Sequence, residues 1–86
     1  MSQHRSSAIT VLETIWRELL SVDSVHPTDN FIALGGDSIA ATQCVGRIQG
    51  ALGVPIPVVA LLSDEGSFGG LADHVESKLA KAPIAS

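Results

Sequence analysis

The chain has 86 residues, 45% of them apolar, and its nine Asp and Glu against five Lys and Arg leave a formal net charge of −4. That length suits one domain with a modest core, and the acidic balance argues against gripping a nucleic-acid backbone. The lone Cys44 excludes a disulfide scaffold and a cysteine-based zinc site, and it points to a reducing, cytoplasmic setting. No apolar run is long enough to cross a bilayer, and the polar stretch 1–7 does not read as a signal peptide.

Taken in order, residues 1–7 read as a flexible arm, 8–81 as the domain and 82–86 as a flexible tail. A first helix is expected from about Ala8, where Ile9, Leu12, Trp16 and Leu19 recur at steps of three and four with Ile15 beside them. Ser6 or Ser7 offers a cap for its start, and the pattern stops near Ser21. Residues 22–36 form a long loop rich in Asp, Asn, Pro and Gly, which Val25, Phe31, Ile32 and Leu34 are expected to pin to the core. A loop of that length in so small a domain is usually functional. A second helix covers roughly 38–51, with Ala41, Val45, Ile48 and Leu52 as its apolar stripe, Cys44 alongside and Gly53 placed to end it. Pro55 and Pro57 forbid regular helix next. Residues 58–62 then read as one short helical turn and 64–66 as a tight turn. Ser67 caps a last helix that presents Phe68, Leu71, Val75 and Leu79 on one face. Three longer helices and one short one, with stripes that must meet, predict an all-α four-helix bundle.

The chemistry-bearing segment is Leu34-Gly35-Gly36-Asp37-Ser38-Ile39. Two glycines permit tight turns and deliver Ser38 to the first position of a helix. A phosphate on its hydroxyl would there lie near unpaired amides and the positive end of the helix dipole. Asp37 sets a carboxylate beside that hydroxyl, able to help organise a metal-bound phosphate donor on a partner enzyme. On spacing alone, Asp37 or Ser38 also reads as an ordinary helix cap.

The longer run Asp29-Asn30-Phe31-Ile32-Ala33-Leu34-Gly35-Gly36-Asp37-Ser38-Ile39-Ala40-Ala41-Thr42-Gln43 resembles the signature of the peptidyl carrier proteins of nonribosomal peptide synthesis, members of the acyl-carrier-protein-like superfamily. Ile15-Trp16 with Leu19-Leu20, Gly53-Val54-Pro55-Ile56-Pro57 and Leu71-Ala72-Asp73-His74-Val75 extend the likeness in order over residues 9–80. The resemblance implies a four-helix acyl-carrier-type bundle without catalytic activity of its own. A phosphopantetheinyl transferase would attach phosphopantetheine to Ser38, with Gly36 and Asp37 forming the attachment site. The arm's thiol would hold an aminoacyl or peptidyl thioester and deliver it to adenylation, condensation, epimerisation, tailoring or thioesterase partners. A tether of this kind raises the effective concentration of cargo at each partner.

The resemblance also implies a partner-binding face of Leu34, Ile39, Gln43, Arg47, Ala60 and Leu61, extended by Gly46. From the residues alone, Ile39, Ala60 and Leu61 are equally readable as core, and Arg47 as a solvated helix charge. The absence of Asp and Glu from 39–63 is unlike the fatty-acid carriers, while an aryl carrier stays open. Departures from the pattern gather before the last helix. Leu62 stands where Phe is frequent, Glu65-Gly66-Ser67 stands where Pro-Thr is usual, and Gly69 and Gly70 weaken the next turn.

Rival readings fare worse. Ala40 breaks the nucleophile-elbow pattern of a serine hydrolase, the glycines lack the Lys-Ser/Thr ending of a phosphate-binding loop, and no residue cluster suits a metal. An unmodified helical interaction module is the remaining alternative. The expectation is a monomeric carrier with no nucleic-acid, membrane or metal partner.

Overall fold

The computed structural model describes residues 6–63 and 66–81. Four helices follow one another: α1 (Ser6–Leu20), α2 (Ser38–Leu52), α3 (Val58–Leu61) and α4 (Phe68–Lys81). No strand occurs among the described residues. The helical bundle expected from the apolar periodicity is therefore the fold. α1 packs against both α2 and α4, and α3 packs against α2.

The first helix starts earlier than its apolar pattern, already including Ser6 and Ser7; whatever caps it lies outside the described residues. It ends at Ser21, a non-glycine residue at φ 57°, after which the Val22 amide reaches back to the Arg17 carbonyl at 3.2 Å. α2 stops as the sequence predicts: Gly53 takes the left-handed conformation at φ 72° and its amide donates to the Gln49 carbonyl at 2.8 Å. Pro57, extended at φ −70°, opens the one-turn α3. Ser67 caps α4, its hydroxyl accepting the Gly70 amide at 3.1 Å. Of the turn expected over 64–66, only Gly66 is described, and its amide donates to the Ser63 carbonyl at 3.1 Å.

The three aromatic residues meet in the core. Trp16 of α1 makes edge-to-face contacts with Phe31 of the first loop and Phe68 of α4, both at 5.1 Å between ring centres. Leu12, Cys44, Ile48 and Val75 are fully buried beside them, from α1, α2 and α4. Three apolar assignments need correction. Along α2 the buried line is Ala41, Cys44 and Ile48, whereas Val45 and Leu52 are only partly covered. Spacings of three and four fit either line, and the rotation of α2 against α1 decides which one is buried. Ile32 does not pin the loop: it is exposed, because the tight turn around it aims Phe31 inward instead. Leu79 is exposed as well, lying beyond the reach of the core on α4.

Cys44 is fully buried against Trp16. Burial pushes its thiol from 9.0 up to about 11, with the Trp16 indole and the Arg47 charge pulling the other way. The Trp16 N–H itself is buried without an acceptor in hydrogen-bonding geometry among the described residues.

Candidate functional site

The segment that delivers Ser38 is built by residues 26–37. His26 and Asp29 close the first turn: the His26 amide donates to the Asp29 carboxylate at 2.8 Å and the Asp29 amide to the His26 carbonyl at 2.9 Å. The loop is then fastened to α4, whose first amides have no partner within their own helix. The Phe68 amide donates to the Asp29 carbonyl at 2.7 Å and the Gly69 amide to the Pro27 carbonyl at 2.8 Å. A Cβ at position 69 would stand 3.1 Å from that carbonyl oxygen, tighter than ordinary contact, so Gly69, a departure from the family pattern, eases this close approach of the loop. Asn30 completes the bracing. Its side-chain amide donates to the carbonyls of Ser63, at 2.9 Å, and Gly66, and its oxygen accepts the Ala33 amide at 3.0 Å.

Asn30 also opens a helix-like turn. The Leu34 amide donates to its carbonyl at 3.0 Å, the Gly35 amide to Ile32 at 2.9 Å, and the Gly36 amide to Phe31 at 2.9 Å. Both glycines are required here, for different reasons. Gly35 sits at φ 100°, a conformation that side chains resist. At Gly36 the limit is room: a Cβ would come within 2.3 Å of the Phe31 ring. The core aromatic and the signature glycine thus fit as one unit.

Asp37 is the N-cap of α2. Extended at φ −127°, it accepts the Ala40 amide on its carboxylate at 2.9 Å, and its carbonyl accepts the Ala41 amide at 2.8 Å. Ser38 is therefore the first helical residue and not the cap. It is exposed, and its hydroxyl has no hydrogen-bond partner among the described residues. The amides of Ser38 and Ile39 likewise have no acceptor among the described residues. An unengaged nucleophile beside two free donors at the positive end of a 15-residue helix fits a covalently bound phosphodiester. The Thr42 hydroxyl donates to the Ser38 carbonyl at 2.9 Å and leaves the Ser38 side chain clear.

The residues expected to meet partners separate into four groups. Ile39, Gln43, Gly46 and Ala60 are exposed, Ile39 at 69%, and Leu34 is partly buried. Leu61 belongs to the core instead: at 3% exposure it presents no contact surface, since the single turn of α3 points it at the bundle. Val59, which sequence reasoning did not single out, is the large exposed apolar residue of α3, at 72%. Arg47 is exposed but engaged, its guanidinium pairing with Glu18 of α1 at 2.9 Å. No cluster of His, Cys, Asp or Glu suited to a metal occurs among the described residues.

The family model described as "Phosphopantetheine attachment site" matches residues 10–75. Phosphinothricin tripeptide synthetase PhsC of Streptomyces viridochromogenes is 37% identical over 67 residues, which are 78% of this chain and 6% of that synthetase. Among solved structures, BlmI, a type-II acyl-carrier-protein from Streptomyces verticillus involved in bleomycin biosynthesis, superposes with a TM-score of 0.74 at 33% identity, covering 87% of this chain and 89% of BlmI. A structure of the phosphopantetheine transferase Sfp with coenzyme A and a peptidyl carrier protein shares the fold at a TM-score of 0.74 and 24% identity, covering 83% of this chain and 91% of that one. The chain belongs to the phosphopantetheine-attachment family: it is a carrier domain of the kind found in nonribosomal peptide synthetases, and its cofactor is covalently held phosphopantetheine. Among the described residues no helix is long and apolar enough to cross a membrane.

Proposed function

We propose that Ser38 is the residue that carries the arm, and that the domain presents an aminoacyl or peptidyl thioester without performing bond chemistry itself. The observation that carries this reading is the exposed, unbonded Ser38 hydroxyl at the first position of α2, with the capping duty taken by Asp37. Loading joins Ser38 Oγ to the phosphorus of the phosphopantetheine unit and breaks the phosphoanhydride of coenzyme A, the hydroxyl proton passing to a base on the transferase and adenosine 3′,5′-bisphosphate departing as the leaving group. When bound, the arm supplies a thiol that forms and exchanges thioesters. The chain's own share is to fix the attachment point, to hold the phosphodiester beside the Ser38 and Ile39 amides, and to offer Ile39 and its neighbours to partners. Those partners are a phosphopantetheinyl transferase, an adenylation enzyme or domain, and condensation, epimerisation, tailoring or thioesterase domains. The Sfp complex of a like-folded carrier and the synthetase relative support this set. A reducing, cytoplasmic setting accords with the unpaired, buried Cys44, and the domain is read as acting as a monomer.

The test is the intact mass after incubation with coenzyme A, magnesium and a broad-specificity phosphopantetheinyl transferase. The wild type gains one phosphopantetheine unit, and Ser38→Ala gains none while melting at nearly the same temperature. A folded wild type that gains nothing would leave an unmodified interaction module as the better reading.

A further inference from the structure

Between α3 and the start of α4 the bundle is not closed. A cavity of about 280 Å³ opens there. Its floor is buried and apolar, made by Trp16, Phe31, Ile56, Leu61 and Leu71. Ala60, Gly70 and His74 stand exposed at its mouth. Among the described residues no Asp, Glu, Lys or Arg lines it. A charged occupant would therefore lose its water without gaining a counter-charge, whereas an apolar one gains from burial. An apolar cavity of about 150 Å³ already holds benzene, so this one has room for an aromatic ring and the methylene that carries it.

Small residues form its α4 side. Gly66, Ser67 and Gly70 line the cavity, and all three lie where the sequence departs from the carrier pattern. Gly70 weakens the first turn of α4, yet a Cβ there would only touch the Ser67 hydroxyl oxygen at 3.4 Å, an ordinary contact. Packing does not ask for glycine at that lip, and a longer side chain would fill the opening. Gly66 answers a different need. A Cβ there would come within 2.9 Å of the Ala60 carbonyl oxygen, so the link runs directly across α3.

The site already described supplies an occupant. The Phe31 ring in the cavity floor also lies against Gly36, where a Cβ would come within 2.3 Å of it. Gly36 is two residues from Ser38, so the cavity wall comes within about 12 Å of the Ser38 backbone. A phosphopantetheine arm is as long as about five extended residues, ~17 Å. A group tethered at that reach meets the cavity at about millimolar effective concentration, so even weak apolar contact keeps the cavity filled. A side chain arriving from a partner has no such advantage.

Resting on the Ser38 reading, we propose that this cavity receives the side chain of the arm's own acyl group, and that the cargo of this chain is an uncharged aminoacyl or aryl group bearing an aromatic ring. The domain then favours one class of cargo without catalysing anything. A ring lies for most of the time between α3 and α4, while a small or charged group stays in solvent.

For the test, a broad-specificity phosphopantetheinyl transferase loads the chain from coenzyme A analogues that carry phenylalanyl, glycyl or aspartyl groups through a stable amide in place of the thioester. Intact mass verifies one arm per chain. NMR signals and melting temperature are then compared with those of the chain bearing the unacylated arm. The phenylalanyl arm should shift the Trp16 indole signal and the amides of Gly66, Gly70 and His74, and raise the melting temperature by about 2–4 °C. The glycyl and aspartyl arms should do neither. Gly70→Leu, which obstructs the mouth and replaces a poor helix former, should lose both responses to the phenylalanyl arm. Equal responses to all three arms, phenylalanyl shifts confined to residues around Ser38, or undiminished responses in Gly70→Leu overturn the cavity proposal alone. Should that variant not fold, the three arms on the wild type decide by themselves. A wild type that takes no arm overturns the Ser38 reading, and the cavity proposal with it.

Discussion

Residues 26–36 and residues 37–39 adjoin in the chain and are built on opposite terms. In the first stretch Asp29, Asn30 and the backbone carbonyls around them fasten the loop to α4, to the α3–α4 link and to itself. Phe31 is buried there against Trp16 and Gly36. In the second stretch Asp37 is the residue whose side chain is engaged, and the side chains of Ser38 and Ile39 stand in solvent. With Ser38 as the proposed attachment point, the contrast is a way for a small domain to present a reactive group. The group itself is left without partners, and the segment before it is immobilised so that its position is fixed relative to whatever docks.

The hardest test of that contrast is Phe31→Ala. It removes a ring that is 1% exposed and holds together α1, the loop and the Gly36 turn. A loss of about 3–5 kcal/mol in urea unfolding is expected. Near-normal stability would mean that the loop is held by its hydrogen bonds alone. Asn30→Ala probes those bonds directly. It abandons the carbonyls of Ser63 and Gly66 and the amide of Ala33 in one step. Its expected cost is about 2 kcal/mol, less than for Phe31 because parts of the site are reached by water. If both variants fold and load at the wild-type rate once stabilised by lower temperature, the bracing serves stability and not presentation.

Much of this was legible in the sequence. Gly53, Ser67 and the prolines after α2 fixed helix limits through local chemistry that acts the same in any fold, and the aliphatic periodicity gave the helices themselves. The signature run singles out Ser38 as the proposed attachment point, although helix start alone would not have separated Asp37 from Ser38 as the cap: both residue types cap well, and the extended backbone at Asp37 decides. What was hidden depends on contacts distant in sequence. Gly69 reads as a weak helix start, because the loop residue it lies against, Pro27, stands more than forty residues earlier. The exchange of Leu61 for Val59 as the exposed residue of α3 follows from the rotation of a single turn, which four apolar residues in a row cannot specify. Arg47 read as solvated, and its partner Glu18 became visible only with the packing of α1 on α2.

The smallest predicted effect lies at the boundary between the two stretches, and it separates two roles for one carboxylate. Asp37 caps α2 through its Oδ1, and it also places a negative charge next to the Ser38 hydroxyl. Asp37→Ala loses both and should cost about 1 kcal/mol. Asp37→Asn keeps an acceptor for the Ala40 amide but removes the charge. Its stability should lie within about 0.5 kcal/mol of the wild type, since Asn caps nearly as well and only the favourable charge at the helix start is lost. Loading then isolates the charge. If the carboxylate helps to place a metal-bound coenzyme A on the transferase, Asp37→Asn slows loading at unchanged stability, and raising the magnesium concentration partly restores it. If Asp37 is a cap and nothing more, Asp37→Asn loads like the wild type, and Asp37→Ala is slowed only to the extent that fraying the first turn of α2 loosens the position of Ser38.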